Sequence, residues 1–122
     1  MSAKILIVDD NALNLELVTQ LLEDDYEIAT ATNGQEALDA VAAFEPALVL
    51  MDLSMPVMDG WEATRRLRAD PNNVGLKILA LSAHAIPSEV ERAMTVGCDA
   101  FVTKPIDDDL LLKRIEELLA GR

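Results

Sequence analysis

Three stretches of the chain, Ile5 to Val8, Ala47 to Met51 and Ile78 to Leu81, are apolar at every position. A strand with one wet face alternates apolar and polar residues, so a continuously apolar strand must be covered on both sides. Glu27 to Thr30 is mixed and Ala100 to Val102 is short, as edge strands can be. Helix-like segments alternate with these strands, which argues for a parallel sheet with helices on both faces. Right-handed crossovers, with the most apolar strands central, lead to the order 2-1-3-4-5. The expected class is α/β, a doubly wound five-stranded parallel sheet.

The helices carry start and stop signals. Leu13, Leu17 and Leu21 recur every four residues after the capping residue Asn11 and are expected to face the core. Asn33-Gly34 turns the chain ahead of Ala37, Leu38 and Val41, and Asp59-Gly60 turns it and caps a helix bearing Thr64 and Leu67. Ser88 and Glu91 have capping-box spacing after Pro87, and Gly97 suits the helix end. Asp107 to Asp109 can cap the last helix, with Leu111, Ile115, Leu118 and Leu119 as its core stripe.

With 122 residues, 51% of them hydrophobic, the chain can bury a core without staples, and residues 1–122 are expected to form a single domain with no effector domain attached. No apolar run approaches the roughly 18 residues of a membrane span, and the first ten residues do not resemble a signal peptide. The lone Cys98 fits a reducing compartment as buried filler, and a cytoplasmic location is expected. A net charge of −12 argues against direct contact with nucleic acid or anionic membranes and favours protein partners.

Strand ends carry the chemistry. The first strand runs into Asp9-Asp10, the third into Asp52, the fourth into Ser82 and the fifth into Thr103-Lys104-Pro105. In a parallel sheet these ends share one edge. Three carboxylates gathered there repel one another unless a cation intervenes, and a hard divalent ion such as Mg²⁺ or Mn²⁺ suits an all-oxygen site. Such a site can offset the charge of an incoming phosphoryl group while one carboxylate oxygen attacks phosphorus, with Lys104 and Ser82 supporting the other oxygens.

The motifs Val8-Asp9-Asp10, Met51-Asp52-Leu53-Ser54-Met55-Pro56, Asp59-Gly60, Leu81-Ser82-Ala83 and Lys104-Pro105 resemble the receiver domain of two-component response regulators. The resemblance runs from Lys4 to about Leu119 and implies a flavodoxin/CheY-like fold. It implies Asp52 as phosphoacceptor. It also implies Mg²⁺ ligation by Asp10, Asp52 and the Ser54 carbonyl, with Asp9 acting through water. Lys104 would contact the phosphoryl group across a cis Lys104-Pro105 bond. Ser82 would be the switch hydroxyl, Phe101 the aromatic switch, and Ser54 and His84 would tune water access. Implied partners are a histidine kinase or phosphotransfer protein and a downstream protein at the face of the fourth helix, fifth strand and fifth helix. The spacing of Asn11 and Asn14 further resembles receivers of the DivK and hybrid-kinase type.

Two other readings stand beside this one. A haloacid dehalogenase-like phosphatase also uses an aspartate and Mg²⁺ but carries a second acid two residues on, where this chain has Ser54. A receiver serving only as an interaction module would not need its acceptor, acids and lysine intact. The expectation is therefore a switch, not a turnover enzyme.

Overall fold

The computed structural model describes residues 3–53, 55, 58–83 and 86–121. Strands β1 (Lys4–Val8), β2 (Glu27–Ala31), β3 (Leu48–Asp52), β4 (Lys77–Ser82) and β5 (Ala100–Thr103) alternate with helices α1 (Ala12–Leu22), α2 (Gly34–Phe44), α3 (Gly60–Ala69), α4 (Pro87–Val96) and α5 (Asp108–Ala120). All strand pairs are parallel, in the expected order β2-β1-β3-β4-β5. A short 3-10 turn, Pro71–Asn73, precedes β4.

Successive strand residues point to opposite faces, so the apolar runs feed two cores. Leu6, Val8, Val49, Met51, Ile78 and Ala80 pack with Ala37 and Val41 of α2, Ala63 and Leu67 of α3 and Ala93 of α4. Ile5, Ile7, Leu48, Leu50, Leu79 and Leu81 pack with Val18 and Leu22 of α1 and Leu111 and Ile115 of α5. Each fully buried aliphatic side chain stabilises this arrangement by about 1.5–3 kcal/mol before entropy is counted.

The expected α1 stripe is corrected. Leu13 and Leu17 are 61% and 55% exposed, while Val18 and Leu22 are buried. Leu13, Leu15, Leu17, Val18, Leu21 and Leu22 surround much of the helix, so periodicity cannot choose its inward face. The Ser88–Glu91 capping box does not form either. Pro87 occupies the first helical position and Ile86 is the N-cap, which leaves Ser88 inside the helix.

The other caps hold. Asn11, Asn33, Asp59 and Asp107 accept bonds from the main-chain N–H groups of Asn14, Glu36, Glu62 and Leu110, so Asn33 caps α2 directly where the sequence suggested a preceding turn. Gly97 closes α4 at φ 117°, where an added Cβ would run into the stem of Arg68. Arg68 ties the end of α3 to its neighbours, donating to Gly97 O at 2.8 Å and Leu76 O at 2.7 Å and pairing with Asp99 at 2.6 Å.

Candidate functional site

The strand register assembles the site. Val8 pairs with Met51, so Asp9 and Asp52 leave adjacent strands side by side. Asp52 pairs with Leu81, and Ser82 with Thr103, which brings Ser82 and Lys104 to the same edge. Main-chain bonds carry this order past the strands, from Asp9 N to Ala31 O at 3.1 Å, Leu53 N to Leu81 O at 3.0 Å and Lys104 N to Ser82 O at 2.8 Å. Lys104-Pro105 is cis.

One oxygen from each of Asp9, Asp10 and Asp52 lies within 4.8 Å of the others. Asp9 and Asp52 are almost wholly buried, whereas Asp10 is exposed. An all-carboxylate set of this span, open on the Asp10 side, matches the hard-oxygen preference of Mg²⁺. The Lys104 ammonium lies 3.2 Å from both Asp9 Oδ2 and Asp52 Oδ2. Burial disfavours the lysine charge, but the Asp52 and Asp9 carboxylates more than offset it and hold its pKa above the ordinary value. The lysine therefore stays cationic and draws the two acids together.

Asp9 is held from α1 as well. Its Oδ1 accepts from Asn11 N at 2.9 Å and its Oδ2 from Asn14 Nδ2 at 3.3 Å. Ser82, also buried, donates its hydroxyl to Glu89 Oε2 on the first turn of α4 at 3.4 Å. Phe101 is half-buried and packs on the α2–α4 side of the sheet. Trp61, half-buried on α3, carries the Arg92 guanidinium of α4 4.2 Å above its ring. Buried Cys98 has its thiol pushed up to about 11, chiefly by burial.

Five of the seven sequence-derived site residues thus gather at one sheet edge, Asp9, Asp10, Asp52, Ser82 and Lys104, while Phe101 lies further back on β5, paired with Ala80. Ser54, like the proposed tuning residue His84, lies outside the described residues. Three contacts were missed. Nothing in the sequence singles out Glu89, which the structure places in the first turn of α4, and nothing there connects Gly60 with the Asp52 main chain it touches. Asn14 had a signal, its spacing from Asn11, but no assigned partner.

Fold and site together define a doubly wound domain with an acidic trio, a lysine and a hydroxyl on the carboxyl edge of its sheet. The chain belongs to the response regulator receiver domain family, whose profile it matches over residues 5–116. It is 35% identical over 120 residues to the polar-differentiation response regulator DivK of Brucella anthropi, covering 98% of each chain. Among solved structures it resembles the chemotaxis response regulator CheY4 of Vibrio cholerae, with TM-score 0.91, 30% identity and coverage of 97% of this chain and 99% of that one. The receiver domain of a signal transduction histidine kinase from Syntrophus aciditrophicus gives TM-score 0.90 and 32% identity, covering 98% and 92%. The expected fold, family and DivK-like character are therefore borne out, and the chain is a receiver of two-component signalling, a phosphorylation-activated switch. Receivers of this family work with histidine kinases or phosphotransfer proteins and with downstream partners. Among the described residues, no helix is long and apolar enough to cross a membrane.

Proposed function

We propose that Asp52 accepts the phosphoryl group from a histidine kinase or a histidine phosphotransfer protein in the cytoplasm, and that residues 1–122 act as one receiver unit. The observation that carries this reading is the Lys104 ammonium 3.2 Å from both the Asp9 and Asp52 carboxylates, beside the open Asp10. One Asp52 oxygen forms the new bond to phosphorus as the donor's N–P bond breaks, and the leaving imidazole keeps the bonding electrons and takes a proton from water. Lys104 moves its charge from carboxylate to phosphoryl oxygen, and Ser82 exchanges Glu89 for a second phosphoryl oxygen. Asp10, Asp52 and the Ser54 carbonyl would hold Mg²⁺, with Asp9 acting through water. When bound, the ion offsets the charge of the acids and of the arriving phosphoryl group. The protein promotes its own phosphorylation and dephosphorylation and turns over no separate substrate.

Output follows from position. Ser82 sits under the first turn of α4 through Glu89, and Phe101 lies on β5, so the face of α4, β5 and α5 is the surface a downstream protein reads. The donor has a separate approach. A groove of about 260 Å³ lined by Asn14, Leu17, Val18, Leu21, Lys104 and Ile106 reaches the acids through Asn14 and Lys104, which both bond Asp9, and Leu17 in its wall is exposed. A protein delivering a phosphoryl group must contact this margin of the site. The net charge of −12 is in keeping with protein partners over nucleic acid or membrane.

Intact-mass measurement with acetyl phosphate and Mg²⁺ tests the assignment. One phosphoryl group should be added to the wild-type chain and none to Asp52→Asn. No added mass on the wild type, or equal labelling of the variant, refutes it. Steady turnover of a small phosphate ester would instead favour the phosphatase reading.

A further inference from the structure

The Asn11–Asn14 spacing has a structural meaning that the phosphoacceptor chemistry does not use. Asn11 caps α1 by accepting Asn14 N at 3.1 Å on its Oδ1, while its own N–H donates to Asp9 Oδ1 at 2.9 Å. The same cap turns the Asn14 side chain back, and its Nδ2 donates to Asp9 Oδ2 at 3.3 Å. Lys104 Nζ reaches that same oxygen at 3.2 Å. Both Asp9 oxygens are therefore held, one by main chain and one by a shared pair of donors.

We propose that Asn14 is a positioning residue of the metal site, which holds Asp9 Oδ2 toward the opening shared with Asp10 and Asp52 and keeps it from pairing with Lys104 alone. This rests on the metal-site reading given above. The physical reason lies in the neutrality of the amide. Asp9 is 2% exposed, so its charge needs partners, yet a second cation there would compete with a divalent ion for the same carboxylates. A carboxylate in place of Asn14 would add repulsion to a trio already within 4.8 Å. An amide donates a hydrogen bond and brings no net charge. Without it, Lys104 becomes the sole side-chain donor to Oδ2 among the described residues, and the ion pair tightens at the expense of the opening. Substituting such supporting partners of metal ligands commonly weakens metal affinity by about 10–100-fold.

The test is calorimetric titration of Mg²⁺ into the unphosphorylated full chain. Asn14→Ala should bind Mg²⁺ about tenfold more weakly. Its helix cap survives, because the Asn14 main-chain N–H still meets Asn11. Asn14→Gln, which restores a neutral donor, should recover most of the affinity. Asn14→Lys should remain weak, although it also donates, because it brings charge. Wild-type affinity in Asn14→Ala, equal weakening in Asn14→Gln, or full affinity in Asn14→Lys each overturns the proposal. Absence of Mg²⁺ binding by the wild type overturns the metal-site reading itself, and so separates the two failures.

Discussion

Gly60→Ala reverses the effect expected from helix propensity. Gly60 opens α3, and replacing a helical glycine by alanine ordinarily stabilises by roughly 0.5–1 kcal/mol. Here an added Cβ would stand 2.7 Å from Leu53 Cα, 2.9 Å from the Asp52 carbonyl carbon and closer still to the Asp52 carbonyl oxygen. These are backbone atoms, so no side chain can swing aside. Overpacking costs about 1–3 kcal/mol or more, and a clash with fixed backbone belongs at the upper end, about 2–3 kcal/mol, so after the propensity gain a net loss of about 1–2.5 kcal/mol remains. For a domain of this size that lowers the melting temperature by about 5–10 °C. The strain falls on the main chain of the phosphoacceptor, so labelling by acetyl phosphate should slow as well. Gly75→Ala is the control, because nothing lies within 4 Å of its added Cβ. It should be neutral or stabilise by up to about 1 kcal/mol. Urea denaturation reads both variants, and a Gly60→Ala protein as stable as wild type would refute the contact argument.

Asp10→Asn removes one charge from the acidic trio, so in Mg²⁺-free buffer it should raise the urea midpoint, while the stabilisation that Mg²⁺ confers on the wild type should disappear. Lys104→Ala should do the opposite without Mg²⁺, lowering the midpoint because two buried carboxylates lose the cation they share. It should also impair phosphorylation-dependent partner binding more than phosphoryl uptake, and unchanged partner binding would remove Lys104 from the switch. Cys98 should react slowly with thiol reagents at pH 8 and rapidly only in denaturant. Its folded pKa of about 11 lies above the ordinary 9.0, so the unfolded chain releases this proton first. The thiol's stabilising effect is thus complete below pH 9 and declines between about 9 and 11, by about 1.4 kcal/mol per pH unit at most. The alkaline loss of stability should be shallower in Cys98→Ala across that window.

Several levels of this protein are legible from composition and order alone. Continuously apolar Ile5–Val8, Ala47–Met51 and Ile78–Leu81 require cover on both faces, and only a central position in a parallel sheet supplies it, so strand order followed. The strand-end residues then have one edge to share, which brings Asp9, Asp10, Asp52, Ser82 and Lys104 together. Caps at Asn11, Asp59 and Asp107 were readable because each is satisfied within its own turn. What escaped was whatever depends on how one element lies against another. The α1 helix offers leucines around much of its girth, and its angle on the sheet, not its periodicity, buries Val18 and Leu22 and leaves Leu13 and Leu17 outside. Contacts of Gly60 with Asp52, of Glu89 with Ser82 and of Arg68 with Gly97 and Asp99 join residues from 7 to 31 positions apart. Sequence alone determined the sheet and the inventory of its active edge, because backbone pairing and burial act on local patterns. Tertiary structure decided which partner each of those groups meets, because close packing is settled only when all the elements are in place.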